Sequence, residues 1–437
     1  MFLLSALLLF LGFYRNQWNV VREKKFKEFQ LDSESLVIAR MVQSRQHGLL
    51  AQNALLGWGD VNPLDLNASD YTHQYDVFLS GRAFTTYSLY KSASGSQALL
   101  LGMLHQNSPF SPAIDLRNFR ALWALLLAAV LSLFVVWTFR EFGPSTALVV
   151  LVTTIFSQWI TLFGRNLFYA IWASFLPLGL MLCFQPREAR AREPAYRGLV
   201  ILGFGSILFK CLMNGYDFII PALSMPFIPF VYYAVRHRWD GGQFMRGLVI
   251  LLIAVLTAVV VSLSILAMQL QISEGSLAGG FTSILNTFGR RTYADPDLFP
   301  AYAESLRASP WSVLWTYVSE DTAIGVLGLR FLDILIIFGG ITVLYAVFHL
   351  RRPERLPDSE KSAALIAATW LALLSPVSWF VLFKGQAFVH THTNYLAWHM
   401  PFTLFGYAMC AWLLRCMGVA VLRRDAPSQT GDVDSGR

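Results

Sequence analysis

The sequence predicts an all-α polytopic membrane protein of about ten transmembrane helices with two long extracytoplasmic loops carrying short helices. Three observations point there. The chain is 55% hydrophobic and only 14% charged, whereas a soluble globular chain is roughly one quarter charged. Apolar runs close to the roughly 20 residues of a membrane crossing recur along it. Basic residues gather in alternate connections between those runs, as the positive-inside rule requires.

The runs, in order, are residues 2–13, 119–139, 144–164, 167–184, 198–213, 218–235, 247–270, 326–350, 362–383 and 400–422. The first is short and lacks a small-residue cleavage site, so it reads as an uncleaved anchor rather than a signal peptide. Three connections carry the charge. QPREARAREPAYR holds Arg187, Arg190, Arg192 and Arg197, RHRWDGGQFMR holds Arg236, Arg238 and Arg246, and HLRRPERLPDSEK holds Arg351, Arg352, Arg355 and Lys361. All three fall on one side, which is then cytoplasmic. The opposite turns, RN (Arg165, Asn166) and NGYD (Asn214 to Asp217), are nearly uncharged by comparison.

This orientation makes residues 14–118 and 271–325 extracytoplasmic loops within a single transmembrane domain spanning 1–422. The polar stretch 423–437 becomes a disordered cytoplasmic tail. The expected location is a bacterial inner membrane. The net charge of +7 reflects topology, not a nucleic-acid groove. Cys183, Cys211, Cys410 and Cys416 lie in or beside apolar runs without a C-x-x-C pair, so neither a disulfide framework nor a thiolate zinc site is expected. Walker, G-x-S-x-G and H-E-x-x-H patterns are missing from the sequence, and GFGS (Gly203 to Ser206) sits inside an apolar run.

The first long loop opens with LDSESLVIARMVQSRQHG. Leu36, Val37 and Met41 share one helical face and Arg40, Ser44 and His47 another. That pattern predicts an amphipathic helix lying in the membrane interface, N-capped by Asp32 or Ser33. Asp32 and Glu34 point the same way if the backbone there is extended. In a helix they are instead a cap and a favourable first-turn acid. Further on, SDYTHQYDVFLSGR supplies Asp70, His73, Gln74, Asp76 and Arg82 among aromatics, either a sugar-reading surface or a solvated loop. In the second loop Arg290 and Arg291 are adjacent. Their planar forks suit a lipid phosphate, or head-group anchoring.

Two further features lie near the membrane edge. Lys210 and Asp217 are seven residues apart on one helical face, which predicts a structural ion pair. Three of the chain's 8 histidines fall in HTHTNYLAWH. On an extended backbone His390, His392 and Asn394 share a face, and in a helix His390 and Asn394 align while His392 does not. They could serve as metal ligands, as phosphate or sugar contacts, or as interfacial residues beside the belt residues Tyr395 and Trp398.

An anchor followed by a long outer loop, the acidic pair Asp32 and Glu34 early in that loop, many short-looped spans and a late basic outer loop together resemble the glycosyltransferase C superfamily. Those polytopic enzymes use a polyprenyl-phosphate sugar as donor. The resemblance implies a helical membrane body capped by outer-loop helices, with the active site between the two loops. It implies Asp32 as general base for an acceptor hydroxyl, assisted by Glu34, and Arg290 and Arg291 as ligands of the leaving phosphate. Gln74, Arg165, His390, His392 and Asn394 are further candidates for substrate binding, and Asp70 and Asp76 are other candidates for the base. Some members use a divalent cation held by carboxylates or histidines. The implied partners are the lipid-linked donor, a glycan, lipid or protein acceptor, and membrane lipid, with no nucleic acid. Two other readings fit an envelope membrane protein. A lipid-linked glycan flippase or transporter would show internal repeats and midplane charges. An O-antigen-type polymerase would need the arginines but no early carboxylate.

Overall fold

The computed structural model describes residues 1–437 apart from 63–65, 189–195, 325–326, 352 and 423–437. The expected tail, Arg190, Arg192, Arg352 and the start of the 326–350 run therefore lie outside the described residues.

A helix that is apolar all round is stable only among other helices or in lipid, and the longest helices of the chain are of this kind. It begins with α1 (Phe2–Arg15), α2 (Glu23–Glu28), α3 (Leu31–His47), α4 (Ala68–Leu79) and α5 (Ser96–Gln106). The long α6 (Pro112–Phe142) leads to α7 (Pro144–Ile155), α8 (Gln158–Phe163) and α9 (Ile171–Glu188). Then come α10 (Tyr196–Asn214), α11 (Ile219–Ser224), α12 (Phe227–Arg236) and α13 (Gly241–Glu274). The second long loop folds as α14 (Leu277–Arg291), α15 (Ala303–Arg307) and α16 (Pro310–Ser319). After it follow α17 (Phe331–Arg351), α18 (Ser359–Leu382), α19 (Lys384–Val389), α20 (Thr391–Asn394) and α21 (Phe402–Leu422). Two antiparallel ribbons complete the described fold, β1 (Gly57–Gly59) with β2 (Tyr87–Leu89) and β3 (Thr322–Ile324) with β4 (Leu329–Arg330).

Among the described residues, seven segments are long and apolar enough to cross a membrane: α6, α10, Ile219–Arg236, α13, α17, α18 and α21. The chain is thus a polytopic helical membrane protein, but the expected count of about ten is not met by length. Three runs fold into shorter pieces. α1 has 14 residues. The run 144–164 breaks at Ser157, whose hydroxyl accepts from the Ile160 amide at 3.3 Å and starts a new helix, leaving α7 with 12 residues. The apolar part of α9 covers Ile171–Phe184. A helix of 12–14 residues reaches about 20 Å, short of a hydrocarbon core of about 30 Å.

The two ends of the bundle differ. One end carries α2 to α5, α14 to α16 and α19 with α20, knitted together by contacts such as Lys91 Nζ to Glu274 Oε1 at 2.7 Å. At the other end Arg236 lies 3.6 Å from Glu141, 3.7 Å from Asp358 and 3.5 Å from Glu360. Arg415 donates there to the Phe142 carbonyl at 2.7 Å.

α3 has the predicted bounds but not the predicted surroundings. All residues from Glu34 to Ser44 are buried. Helices α4 and α5 and strand β1 pack around it, so α3 is the post of the loop layer rather than an interfacial helix. Its expected solvent face is covered. Arg40 is fully buried and donates to the carbonyls of Ala51, at 2.6 Å, and of Leu49. Gln106 of α5 donates to the Ser44 carbonyl at 2.7 Å. The helix is entered through Gln30 in the left-handed region (φ 58), with no side-chain cap, so Asp32 and Ser33 are not its N-cap. The exposed apolar stripe lies on α14 instead, as Leu277, Phe281, Leu285 and Phe288.

Replacing Arg40 with methionine keeps the bulk but strands two buried carbonyls. Arg40→Met is expected to lose roughly 2–4 kcal/mol of stability, read as a lower unfolding midpoint in detergent. His47→Gln, at an exposed position of the same helix, is expected to stay within about 0.5 kcal/mol of the parent. Equal losses in the two variants would contradict a buried role for Arg40.

Candidate functional site

The first turn of α3 separates the two predicted carboxylates. Helical residues two apart point in nearly opposite directions. Glu34 turns to Arg120, whose Nη2 and Nε lie 2.6 and 2.7 Å from Oε1. Asp32 turns the other way and lines a cavity of about 250 Å³ at the loop end of the bundle. Asp217, Arg290, Arg291, Gln386 and His390 also line it, with Trp58, Tyr71, Tyr90, Phe168, Tyr169 and Tyr302. That volume lies just below the roughly 300–1,000 Å³ typical of drug-sized ligands.

Asp217 reaches the cavity because of the turn between α10 and α11. Gly215 there has φ +62, and a Cβ added to it would stand 2.8 Å from the Ala93 side chain. Lys210 Nζ donates to the carbonyls of Gly215 at 2.9 Å and Asp217 at 2.7 Å. The predicted Lys210–Asp217 ion pair is therefore replaced by a lysine that caps a turn through backbone oxygens. The Asp217 carboxylate is left to Arg291, whose Nη1 lies 3.3 Å from Oδ1. Both side chains are largely withdrawn from solvent, 14% and 12% exposed respectively. Burial alone lowers the Arg291 pKa, but Asp217 and Tyr90 outweigh it and hold the guanidinium above its ordinary value.

Arg290 differs from its neighbour. Its guanidinium lies over the Tyr302 ring at 5.3 Å and 3.4 Å from both the Tyr302 and Ser92 hydroxyls. Among the described residues no carboxylate pairs with it. Both arginines close α14, and α19 packs against that end. A Cβ on Gly385 would lie 2.8 Å from the Arg290 carbonyl oxygen, so glycine permits this approach. His390 follows α19 and faces the same cavity. Burial lowers its pKa and His392 and Arg291 reinforce that, while Asp217 and Asp32 oppose it.

The aromatic wall comes from local geometry. Pairing of β1 with β2 sets Trp58 against Tyr90, edge to face at 5.8 Å. Trp58 Nε1 donates to Ser35 Oγ of α3 at 3.0 Å. Asn166 Oδ1 accepts from the amides of Phe168 and Tyr169 at 2.9 and 3.0 Å, which orders the turn before α9. A second, apolar cavity of about 140 Å³ has Arg291 in its lining as well. Ile219, Leu263, Leu266, Ile284 and Phe288 line it between α13 and α14.

The structure thus brings together Asp32, Arg290, Arg291 and His390, and leaves other predicted residues elsewhere. Gln74 is buried and clamps β1, accepting from the Gly59 amide at 2.9 Å and donating to its carbonyl at 3.0 Å. Asp70 completes the capping box of α4, and Asp76 is exposed on that helix. Arg165 lines a separate cleft. The HTHTN backbone is helical rather than extended, so its alternation is lost. His392 is exposed, and Asn394 turns inward to accept from Trp379 Nε1 at 2.9 Å. His399 is buried 2.8 Å from Thr403 Oγ1 and outside the cavity. Asp217, Gln386 and the aromatic residues Trp58, Tyr71, Tyr90, Phe168, Tyr169 and Tyr302 are cavity residues that sequence reasoning missed. Asp217 alone carried a signal, a carboxylate in the glycine turn NGYD.

Among the described residues, no group of three or more His, Cys, Asp or Glu side chains converges to hold a metal ion. Asp32, Asp217 and His390 of the cavity do not form such a group. No family model matches the chain, and no curated protein or solved structure matches it.

Removing one partner of a buried ion pair leaves an uncompensated charge. Asp217→Asn is expected to cost roughly 3 kcal/mol, and Asp217→Asn with Arg291→Met to recover most of it. Unfolding midpoints of both variants in detergent check this. A double variant as unstable as the single one would mean that the pair is not the source of the loss.

Proposed function

We propose that the protein is an integral membrane glycosyltransferase that moves a sugar from a polyprenyl-phosphate donor to an acceptor at the extracytoplasmic face. One observation carries the reading. Arg291 lines both a polar cavity holding Asp32 and Arg290 and an apolar cavity against α13, one of the helices long enough to cross a membrane. A lipid phosphate needs both environments at once, cations for its head and an apolar path for its chain.

The chemistry follows from the residues. The Asp32 carboxylate takes the proton of the acceptor hydroxyl as its oxygen bonds to the anomeric carbon. The bond from that carbon to the phosphate oxygen breaks, and its electron pair leaves with the phosphate. Arg290, free of a carboxylate, receives most of that charge, and Arg291, already shared with Asp217, receives less. The aromatic wall offers ring faces to a sugar.

Topology supports the same side for this chemistry. The basic connections gather at the opposite end, around Arg236 and Arg238, which the positive-inside rule makes cytoplasmic. The short α7 with α8 and α9 still run between the two ends. α7 starts beside Phe142, and Arg165 after α8 donates to the Phe26 carbonyl at 3.0 Å in the loop layer. Counted with α1, they bring the passes to about ten. The α14 stripe then rests in the membrane interface.

Purified protein offered a panel of polyprenyl-phosphate sugars is expected to consume at least one and to form a glycosidic product. Asp32→Asn is expected to lower that rate by about 100-fold or more, while Asp70→Asn and Asp76→Asn stay near the parent. Consumption of no donor, or full activity in Asp32→Asn, would overturn the reading. Passage of donor across sealed vesicles without a new bond would favour a transporter.

A further inference from the structure

A second polar cleft, of about 480 Å³, lies behind the first turn of α3 on the side away from Asp32. Arg15 at the end of α1, Arg117 and Arg120 near the start of α6, and Arg165 in the turn before α9 line it, against one carboxylate, Glu23. Among the described residues, Arg120 is the only one of the four in an ion pair, with Glu34. Arg165 is held without being neutralised, by the Phe26 carbonyl at 3.0 Å and by the Phe26 ring 4.0 Å below its guanidinium. Burial, and then repulsion from Arg120, lowers its pKa. Arg15 and Arg117 are exposed and free to turn into the cleft. Four guanidinium groups beside two carboxylates, Glu23 and the Glu34 paired with Arg120, keep an excess of positive charge that an anion would join. Their forks match tetrahedral phosphate oxygens. The cleft opens where apolar α1 and α6 give way to the loop layer, the level of lipid head groups.

We infer that this cleft is a second phosphate-binding site, distinct from the cavity of Asp32 and Arg290. The phosphate belongs either to a membrane lipid head group or to a soluble phosphate ester, and the inference does not depend on sugar transfer. The test uses the full chain in maltoside micelles, which carry no phosphate, with native mass spectrometry as readout. Phosphatidylglycerol is one probe and glycerol 3-phosphate the other. The cleft variant is Arg15→Gln with Arg117→Gln, which leaves the Arg120–Glu34 pair intact. The control is Arg307→Gln with Arg330→Gln, which removes the same net charge at two exposed positions elsewhere. Phosphatidylglycerol is expected to bind parent and control alike and about tenfold more weakly to the cleft variant. The same pattern with glycerol 3-phosphate alone would assign the site to a soluble ester. Equal binding of both probes by parent and cleft variant, or binding of neither, would overturn the inference.

Discussion

Arg291 and Asp217 bury opposite charges against each other where the membrane bundle meets its loop layer. Withdrawing either ion from water costs several kcal/mol, and a partner in good geometry is what makes both tolerable there. The pair therefore fixes two elements far apart in sequence. It ties the end of α14 to the turn between α10 and α11, and the cavity forms around that join. Lys210 holds the turn from below through backbone oxygens, and Gly385 lets α19 close over the arginines from the side. Among the described residues Arg290 pairs with no carboxylate and meets the Tyr302 and Ser92 hydroxyls beside the pair.

The division of labour in α3 follows from helical geometry. One turn sends Asp32 into the polar cavity and Glu34 to Arg120. The second carboxylate is thus an anchor for the helix that carries the first. Arg40, deeper in the same helix, holds the chain that leads from α3 towards β1 and so towards Trp58. Buried polar side chains here satisfy loop backbone, which is how a long connection can be packed rather than solvated.

Much of this was legible in the sequence, and the failures have physical reasons. The limits of α3 follow from its 3.6-residue periodicity, and most crossing helices from apolar length. The neighbours of α3 could not be read, because Arg40 and Ser44 look solvent-facing until α5 and the following loop cover them. The run 144–164 is apolar throughout, yet Ser157 caps a new helix inside it. Spacing paired Lys210 with Asp217, but the lysine found carbonyls closer at hand. HTHTN left an extended and a helical backbone open, and the helix over Thr391–Asn394 decides between them. Arg290, Arg291, Asp32 and His390 do meet. That meeting depends on contacts between segments more than 70 residues apart, such as Arg291 with Asp217, which no local pattern encodes.

We propose that the polar cavity and the apolar cavity beside Arg291 together receive a prenyl chain ending in phosphate, with Arg290 as its main cation. Calorimetric binding of farnesyl phosphate and of farnesol to the purified protein tests it most directly, in the parent and in Arg290→Gln. The account predicts that the parent binds farnesyl phosphate, that Arg290→Gln binds it about tenfold more weakly, and that farnesol binds poorly to both. Equal affinity for alcohol and phosphate, or an unchanged affinity in Arg290→Gln, would contradict it.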